Sequence, residues 1–234
     1  MSGIHGLLRL APGALPLDGE ELRRTRAAMA ARGPDGEGEW RSAGGELALG
    51  HRRLATLDLS PAGAQPMTTP DGRYTVVCDG EIYNFRELRR ELAAAGIAFR
   101  TASDTEVLLH LLAREGLAGI GRLRGMFAFA LWDDAEKSLL LARDPFGIKP
   151  LYYAAERGTF RFASQVKALT AGGAVREQLD PAAAAAFLLW GSVPEPWTIQ
   201  RAVRAVPVGH AVRVVAGRVG EPERIPVAPP AAPL

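Results

Sequence analysis

Short apolar segments, each closed by turn residues, recur along this chain and most constrain its fold. They are rich in β-branched, aromatic or aliphatic side chains and are bounded by Gly, Asp or Pro. The clearest are Tyr74–Cys78, Met126–Trp132, Leu139–Ala142 and Ala211–Val215. The connections between several of them are short enough for hairpins, and helical patterns lie on either side. The sequence therefore predicts an α+β fold with antiparallel sheets.

Four helical patterns interrupt these strands. They cover Glu20–Ala31, Phe85–Ala95, Thr105–Glu115 and Pro181–Trp190. The second has Asn84 at its N-cap and Gly96 as its stop. At the start of the third, Ser103 is followed three residues later by Glu106, which is the spacing of a capping box. Residues 220–234 are rich in Pro and Ala, which predicts an extended tail. We therefore divide the chain into a folded domain at 1–217 and a tail at 218–234.

Composition excludes several classes of protein. The 234 residues are 47% hydrophobic and 23% charged, enough to bury the core of one large domain or two small ones. The 28 basic and 26 acidic residues are too balanced for a dedicated nucleic-acid or membrane-surface binder. One cysteine, Cys78, and four histidines without metal-ligand spacing indicate neither an intrachain disulfide nor a metal site. No apolar run approaches the roughly 20 residues of a membrane span, and no secretory signal is visible, so we expect a cytoplasmic protein.

Several motifs follow one another in an order that local structure alone does not explain. They are RGPD at Arg32–Asp35, GHRRLATLDLSPAGAQPM at Gly50–Met67, DGEIYNFRELRREL at Asp79–Leu92, TASDTEVLLHLL at Thr101–Leu112, LRGMFAFALWDDAEKSLLLARDPFGIKPLYY at Leu123–Tyr153 and FASQVKAL at Phe162–Leu169. Together they resemble the glutaminase domain of glutamine-dependent asparagine synthetases, a class II glutamine amidotransferase of the N-terminal-nucleophile (Ntn) hydrolases. The resemblance covers roughly residues 2–215. It implies a four-layer αββα sandwich of two antiparallel sheets.

The resemblance also implies an activity, the hydrolysis of glutamine to glutamate and ammonia. In the family the initiator Met is removed and the new N-terminal cysteine attacks the glutamine amide. Its own α-amine, which titrates near pH 8, serves as general base. An ATP-dependent synthetase domain with an SGGxDS-like signature then consumes the ammonia, usually to make asparagine. That signature is absent from these residues, so we expect the synthetase as a separate domain or subunit. We expect no cofactor here, and ATP with Mg²⁺ only in that synthetase.

The residue at the nucleophile position differs from that of the family, because this chain has Ser2 in place of the cysteine. A small residue after Met1 still permits removal of the methionine. A serine hydroxyl is almost never ionised at neutral pH and depends wholly on its base. Ser2 is therefore either a slow nucleophile or an inactive position, natural or engineered to trap a complex, and the inactive position is the interpretation we favour.

A second departure lies at Asp79, where the family has an asparagine. The asparagine amide and the backbone N–H of the next glycine, here Gly80, donate to the oxyanion of the transition state. An ionised Asp79 cannot donate, and loss of one such donor costs about 10²–10³ in rate. Asp79 could help only if its pKa were raised enough to keep it protonated. Alternatively, Asp79 and Gly80 form a hairpin turn.

The positions that bind glutamine in the family are better preserved. The resemblance assigns the glutamine carboxylate to Arg53, whose planar guanidinium can bind it through two hydrogen bonds. It assigns the ammonium to Asp104, and it places Leu54 and Glu81 at the pocket lining. Without the family, Arg53 would be a surface charge, and Asp104 a first-turn residue favoured by the helix dipole.

Two functions stay open at this point. One is an asparagine-synthetase-type amidotransferase, impaired by Ser2 and Asp79. The other is a catalytically inactive module that binds glutamine or only a partner protein. Assembly into a homo-oligomer is open as well, while neither nucleic acid nor membrane is expected as a partner.

Overall fold

Two antiparallel sheets form the centre of the molecule in a computed structural model that describes residues 1–11 and 13–226. The strands are β1 Gly3–Arg9, β2 Gly36–Arg41, β3 Leu47–Arg53, β4 Met67–Thr68, β5 Tyr74–Ile82, β6 Gly125–Asp133, β7 Ser138–Arg143, β8 Tyr152–Glu156, β9 Thr159–Ala163, β10 Arg204–Ala205, β11 His210–Val215, β12 Arg218–Val219 and β13 Glu223–Arg224. The first sheet has the order β10-β8-β9-β1-β3-β2. The second has the order β12-β11-β7-β6-β5-β4, and β13 also pairs with β11.

Helices cover the outer face of each sheet. They are α1 Gly19–Ala27, α2 Phe85–Ala94, α3 Asp104–Glu115, α4 Leu117–Ile120, α5 Val166–Ala171 and α6 Pro181–Trp190. Leu22 of α1 and Leu169 of α5 lie in buried clusters against the first sheet, while α2 and α3 pack their leucines on the second. The expected α+β sandwich of two antiparallel sheets with helical outer layers is thus confirmed.

Strands β5 and β6 show why the central sequence is so continuously apolar. In β6, Phe127 and Phe129 point to the helices, whereas Ala128, Ala130 and Trp132 face the other sheet. Because a strand alternates its side chains between its two faces, a strand covered on both sides needs apolar residues at every position. The small alanines let the two sheets approach each other.

The expected helices all exist, with shifts at their ends. The first helix ends at Ala27, and a separate 3₁₀ turn covers Ala30–Arg32. Only half of the expected capping box forms, since the Ser103 hydroxyl accepts a hydrogen bond from Thr105 N at 3.1 Å. Glu106 instead accepts hydrogen bonds from the backbone N–H of Arg100 and Thr101.

Part of the segment expected to be a tail belongs to the second sheet. Strands β12 and β13 pair with β11, and Ile225 is buried in the core. The structure therefore differs from our boundary at residue 218, because the backbone of Arg218–Val219 and Glu223–Arg224 pairs with β11 and the side chain of Ile225 fits into the core. Residues 227–234 of the expected tail lie outside the described residues.

Among the described residues, no helix combines the length and apolar character needed to cross a membrane.

Candidate active site

A small polar cavity lies where β1 begins, β3 ends and α3 begins. Ser2, Arg53, Leu54, Gly80 and Asp104 are among its lining residues, and the cavity volume is about 40 Å³. The antiparallel register of β1 and β3 pairs Gly3 with Arg52 and so carries Ser2 to Arg53 at the same end of the sheet. Five of the seven residues singled out from the sequence therefore meet at one site. Asp79 and Glu81 are not part of this lining.

Ser2 is positioned by contacts on both sides. Its hydroxyl oxygen accepts a hydrogen bond from Leu54 N at 3.2 Å, and its carbonyl oxygen accepts one from Arg32 Nε at 2.7 Å. Burial lowers the pKa of the Met1 α-amine. The charge of Asp79 opposes this effect, and those of Lys149 and Arg32 add to it. The start of the chain thus lies within the electrostatic reach of these three charged groups, and of Asp35 as well.

These three groups form a buried ion cluster. Asp79 Oδ2 lies 2.5 Å from Arg32 Nη2, and Asp79 Oδ1 lies 3.3 Å from Lys149 Nζ. The side chains of Asp79, Lys149 and Arg32 are all nearly inaccessible to solvent. Both carboxylate oxygens of Asp79 thus face cations, one towards Arg32 and one towards Lys149.

The alternative of a hairpin turn at Asp79 is wrong. Asp79 and Gly80 lie within β5 and pair with Ala128 and Phe127 of β6. A Cβ at Gly80 would lie 2.4 Å from the carbonyl oxygen of Met126, so only glycine fits there. A turn signal such as Asp-Gly is overridden here because long-range strand pairing continues through it.

Lys149 reaches the cluster from a tight turn between β7 and β8. The Asp144 carboxylate accepts hydrogen bonds from the backbone N–H of Phe146, Ile148 and Lys149 at 3.0–3.1 Å. Arg143 Nε donates to the carbonyl oxygen of Lys149 at 2.9 Å. The expected turn is present, but it also places a buried ammonium beside Asp79.

Arg32 and Lys149 are the site residues that the sequence analysis missed. Arg32 lies in the motif Arg32–Asp35 and Lys149 in the motif Leu123–Tyr153, but neither motif by itself indicates a role in the site. One signal could have found them. A charged residue such as Asp79 inside an apolar strand requires a buried partner of opposite charge.

Arg53 is anchored beside the cavity by the loop that follows β3. Its Nη2 donates to the carbonyl oxygen of Asp58, and a Cβ at Gly63 would lie 2.7 Å from the same nitrogen. The guanidinium has five N–H donors, so this bond leaves others to meet a carboxylate. The structure thus places a cation in the lining of the cavity.

Asp104 supplies the opposite charge to the cavity. Its Oδ2 accepts a hydrogen bond from Ile82 N at 2.8 Å, and its side chain is mostly buried. Burial raises the pKa of Asp104, the bond from Ile82 N opposes this, and the charge of Glu81 raises it further. Glu81 lies outside the lining and acts on the site through this charge.

Three neighbouring side chains, those of His51, Cys78 and Gln65, complete the walls of the cavity. Burial lowers the pKa of His51 to about 3, so the imidazole is neutral at ordinary pH. Burial also raises the pKa of the Cys78 thiol well above its usual value, which leaves it protonated and unreactive. Gln65 joins the walls, since its Oε1 accepts from Cys78 N at 2.6 Å and its Nε2 donates to Thr105 at 3.2 Å.

The raised pKa of Asp104 predicts how affinity for an ammonium ligand depends on pH. The family resemblance assigns the ligand ammonium to the carboxylate form of Asp104, and on that assignment the affinity for glutamine should fall as pH falls through this raised pKa. The loss should begin at a higher pH than for an ordinary aspartate. Calorimetric titrations between pH 7 and 4 would measure the midpoint. Glu81→Gln should move the midpoint to lower pH because it removes a like charge, and identical affinity across this range would contradict the assignment.

Comparisons with known proteins agree on one family. Residues 1–223 match the family model described as "Glutamine amidotransferase domain". The chain is 39% identical over 210 residues to asparagine synthetase [glutamine-hydrolyzing] 1 of Bacillus subtilis, covering 89% of this chain and 33% of that protein. It is 35% identical over 198 residues to asparagine synthetase [glutamine-hydrolyzing] 3 of the same organism, covering 82% and 31%. The chain thus spans about a third of the length of these relatives.

A solved structure confirms the fold. Glutamine phosphoribosylpyrophosphate amidotransferase of B. subtilis superposes with a TM-score of 0.71 at 20% identity. The match covers 95% of this chain and 49% of that chain. The family match over residues 1–223 and this likeness of fold lead to one conclusion: the chain belongs to the glutamine amidotransferase domain family, of the type found in asparagine synthetases.

Proposed function

We propose that this domain binds glutamine in the Ser2 cavity, hydrolyses it slowly and passes the ammonia to an ATP-dependent synthetase unit. One observation carries the proposal, which is that Ser2, Arg53 and Asp104 line the same small cavity. Free amino acids carry a carboxylate and an ammonium, and Arg53 and Asp104 supply the two complementary charges. Ser2 then faces the side chain of the bound ligand.

Slow turnover follows from two features of the site. A serine hydroxyl requires its own α-amine to remove the proton before it attacks. The negative charge that develops on the amide oxygen meets one backbone donor at Gly80, and Asp79 adds no second donor. ATP and Mg²⁺ belong in this proposal to the synthetase unit, and the domain itself works without a cofactor.

A second candidate is a glutamine-binding module without turnover, and the buried Asp79 cluster favours it. In this case Arg32 and Lys149 hold the Asp79 carboxylate in place, and this carboxylate blocks the reaction. Arg53 and Asp104 still bind the ligand. The two candidates differ only in whether ammonia appears.

Ammonia release by the purified full chain tests the proposal. Removal of Met1 would first be confirmed by intact mass, and ammonia would then be measured with glutamine as substrate. We expect slow release that disappears when one glycine is added ahead of Ser2, because the α-amine is then no longer beside the hydroxyl. Heat stability in the presence of glutamine should rise in both proteins, since binding to the folded state stabilises it.

The controls separate the candidates. No release together with stabilisation by glutamine would favour the binding module. Release that survives the added glycine would show a different nucleophile. Absence of stabilisation in both proteins would reject glutamine as the ligand.

A further inference from the structure

A second cavity lies at the edge of the first sheet, beside β8, β10, α5 and α6; we call it the edge cavity. Its volume is about 430 Å³, which is within the usual range of small-molecule sites. Of its lining residues, Thr198 and Ala205 are buried, whereas Phe187 and Trp197 are about half exposed. The edge cavity thus has a closed floor and an open mouth, and it shares no lining residue with the Ser2 cavity.

Backbone hydrogen bonds hold one side of the edge cavity in place. Trp197 N donates to the carbonyl oxygen of Pro194 at 3.1 Å, which closes a tight turn. Ala205 N donates to the carbonyl oxygen of Pro196 at 2.9 Å, and Trp197 also forms a β-bridge with Arg204. The turn is therefore fixed to β10 without any ligand. A ligand that enters a preformed cavity of this kind does not have to order its walls, which favours binding.

The edge cavity has an acidic character. Glu195 is the only charged residue among the described residues that line it. Its Oε1 accepts a hydrogen bond from Arg143 Nη1 at 2.8 Å, but Arg143 itself is buried and is not part of the lining. A carboxylate has about four lone-pair sites, so this bond leaves others for a ligand. Since the Glu195 side chain is 38% exposed, a donor entering from solvent can reach it.

Three aromatic side chains line the same space. Tyr152 comes from β8, Phe187 from α6 and Trp197 from the turn before β10. The face of an aromatic ring attracts a cation, and proteins bind organic ammonium groups with sets of such rings. An anionic ligand would instead be repelled by the ring faces and by the Glu195 carboxylate. The lining therefore matches a molecule that combines an ammonium group with an apolar body.

We propose that the edge cavity binds a small organic cation, that is, a protonated or quaternary amine on an aromatic or aliphatic body. The ammonium group contacts Glu195, and the apolar body packs against Tyr152, Phe187 and Trp197. This site is separate from the glutamine site, because the two cavities have no lining residue in common. Binding of the cation therefore does not depend on the function proposed for the Ser2 cavity.

Titration of the full chain with phenethylamine tests the proposal. Its amine is protonated at neutral pH, as a lysine side chain is, whereas phenethyl alcohol carries a neutral hydroxyl on the same body. Isothermal titration calorimetry should show affinity for the amine at least tenfold higher than for the alcohol, because hydrogen bonds to charged groups are the stronger ones. Excess glutamine should leave this affinity unchanged. Equal affinity for amine and alcohol, no binding of the amine, or its displacement by glutamine would overturn the proposal.

Two pairs of variants locate the bound cation. Trp197→Leu should weaken binding of phenethylamine about tenfold, because it removes a ring face. Trp190→Leu should not, because Trp190 is 75% exposed on α6 and does not line the edge cavity. In the same way, Glu195→Gln should weaken binding at least tenfold, whereas Glu136→Gln, at an exposed residue outside the cavity, should leave it unchanged. Equal affinity within either pair would contradict the site.

A further variant separates loss of the site from loss of the fold. Trp197→Phe keeps an aromatic ring at the mouth, so it should bind phenethylamine more tightly than Trp197→Leu does. Circular dichroism would confirm that each variant is folded before its titration. If folded Trp197→Phe and Trp197→Leu bound the amine equally well, the aromatic character of Trp197 would have no part in binding and the proposal would fail.

Discussion

Replacing Ser2 with cysteine is expected to raise the rate of ammonia release by roughly 10²-fold or more at neutral pH. A few per cent of a free thiol is ionised at this pH and it is a strong nucleophile, whereas a hydroxyl depends wholly on its base. The hydrogen bond from Leu54 N at 3.2 Å should hold the sulfur where it now holds the oxygen. Ammonia release by the Ser2→Cys and unsubstituted proteins, each with Met1 removed, would measure the difference.

Adding Asp79→Asn to Ser2→Cys is expected to raise the rate by a further factor of about 10²–10³, the usual worth of one oxyanion donor. An asparagine amide can donate where the carboxylate cannot, and its carbonyl oxygen can still accept from Arg32. The double variant would be assayed beside each single one. Failure of both Ser2→Cys and the double variant to gain activity would show that the site is impaired elsewhere.

The free energy of unfolding of each variant serves as the control for the Ser2 and Asp79 substitutions. Asp79→Asn removes the charge that pairs with Arg32 and Lys149, so it should lower the free energy of unfolding by about 1.5–3 kcal/mol, as for hydrogen bonds to charged groups. Urea unfolding would measure this change, and Ser2→Cys should show none. A rate increase in a destabilised double variant would then reflect the site chemistry.

Replacing Arg53 with alanine is expected to weaken glutamine binding by about 10²-fold, because the bonds of a guanidinium to a carboxylate are charge-assisted. Arg53→Lys should recover part of this loss, since it restores the charge without the planar pair of donors. Isothermal titration calorimetry with glutamine would give the affinities.

The neighbouring Arg52 offers a matched control. Arg52 precedes Arg53 on the same strand, and its side chain pairs with Glu37 at 2.7 Å. Arg52→Ala should therefore bind glutamine as the unsubstituted chain does. Unchanged affinity in Arg53→Ala would remove Arg53 from the pocket. A loss in Arg53→Ala accompanied by unfolding would show that its bond to Asp58 matters for structure, and a chemical denaturation curve would report it.

Much of the fold could be predicted from local patterns. The amphipathic spacing of α2 and α3, and the turn residues that end them, place both helices to within a residue. The apolar runs of β5, β6, β7 and β11 are also found, with ends one to four residues short. Strands β1 and β3 were not singled out, because glycine, histidine and arginine within them weaken the strand signal and both faces are covered.

The sequence by itself determined the helices α1, α2, α3 and α6, the central strands and the motifs that indicate an amidotransferase, but not the short helices α4 and α5. It did so because spacing and turn chemistry act over a few neighbouring residues. Only the tertiary structure decided that Asp79 sits within a strand between Arg32 and Lys149, residues 47 positions before it and 70 after it. It also decided that α6 remains exposed. Both depend on which distant segments the sheets bring together, and pairing over such distances has no local signal.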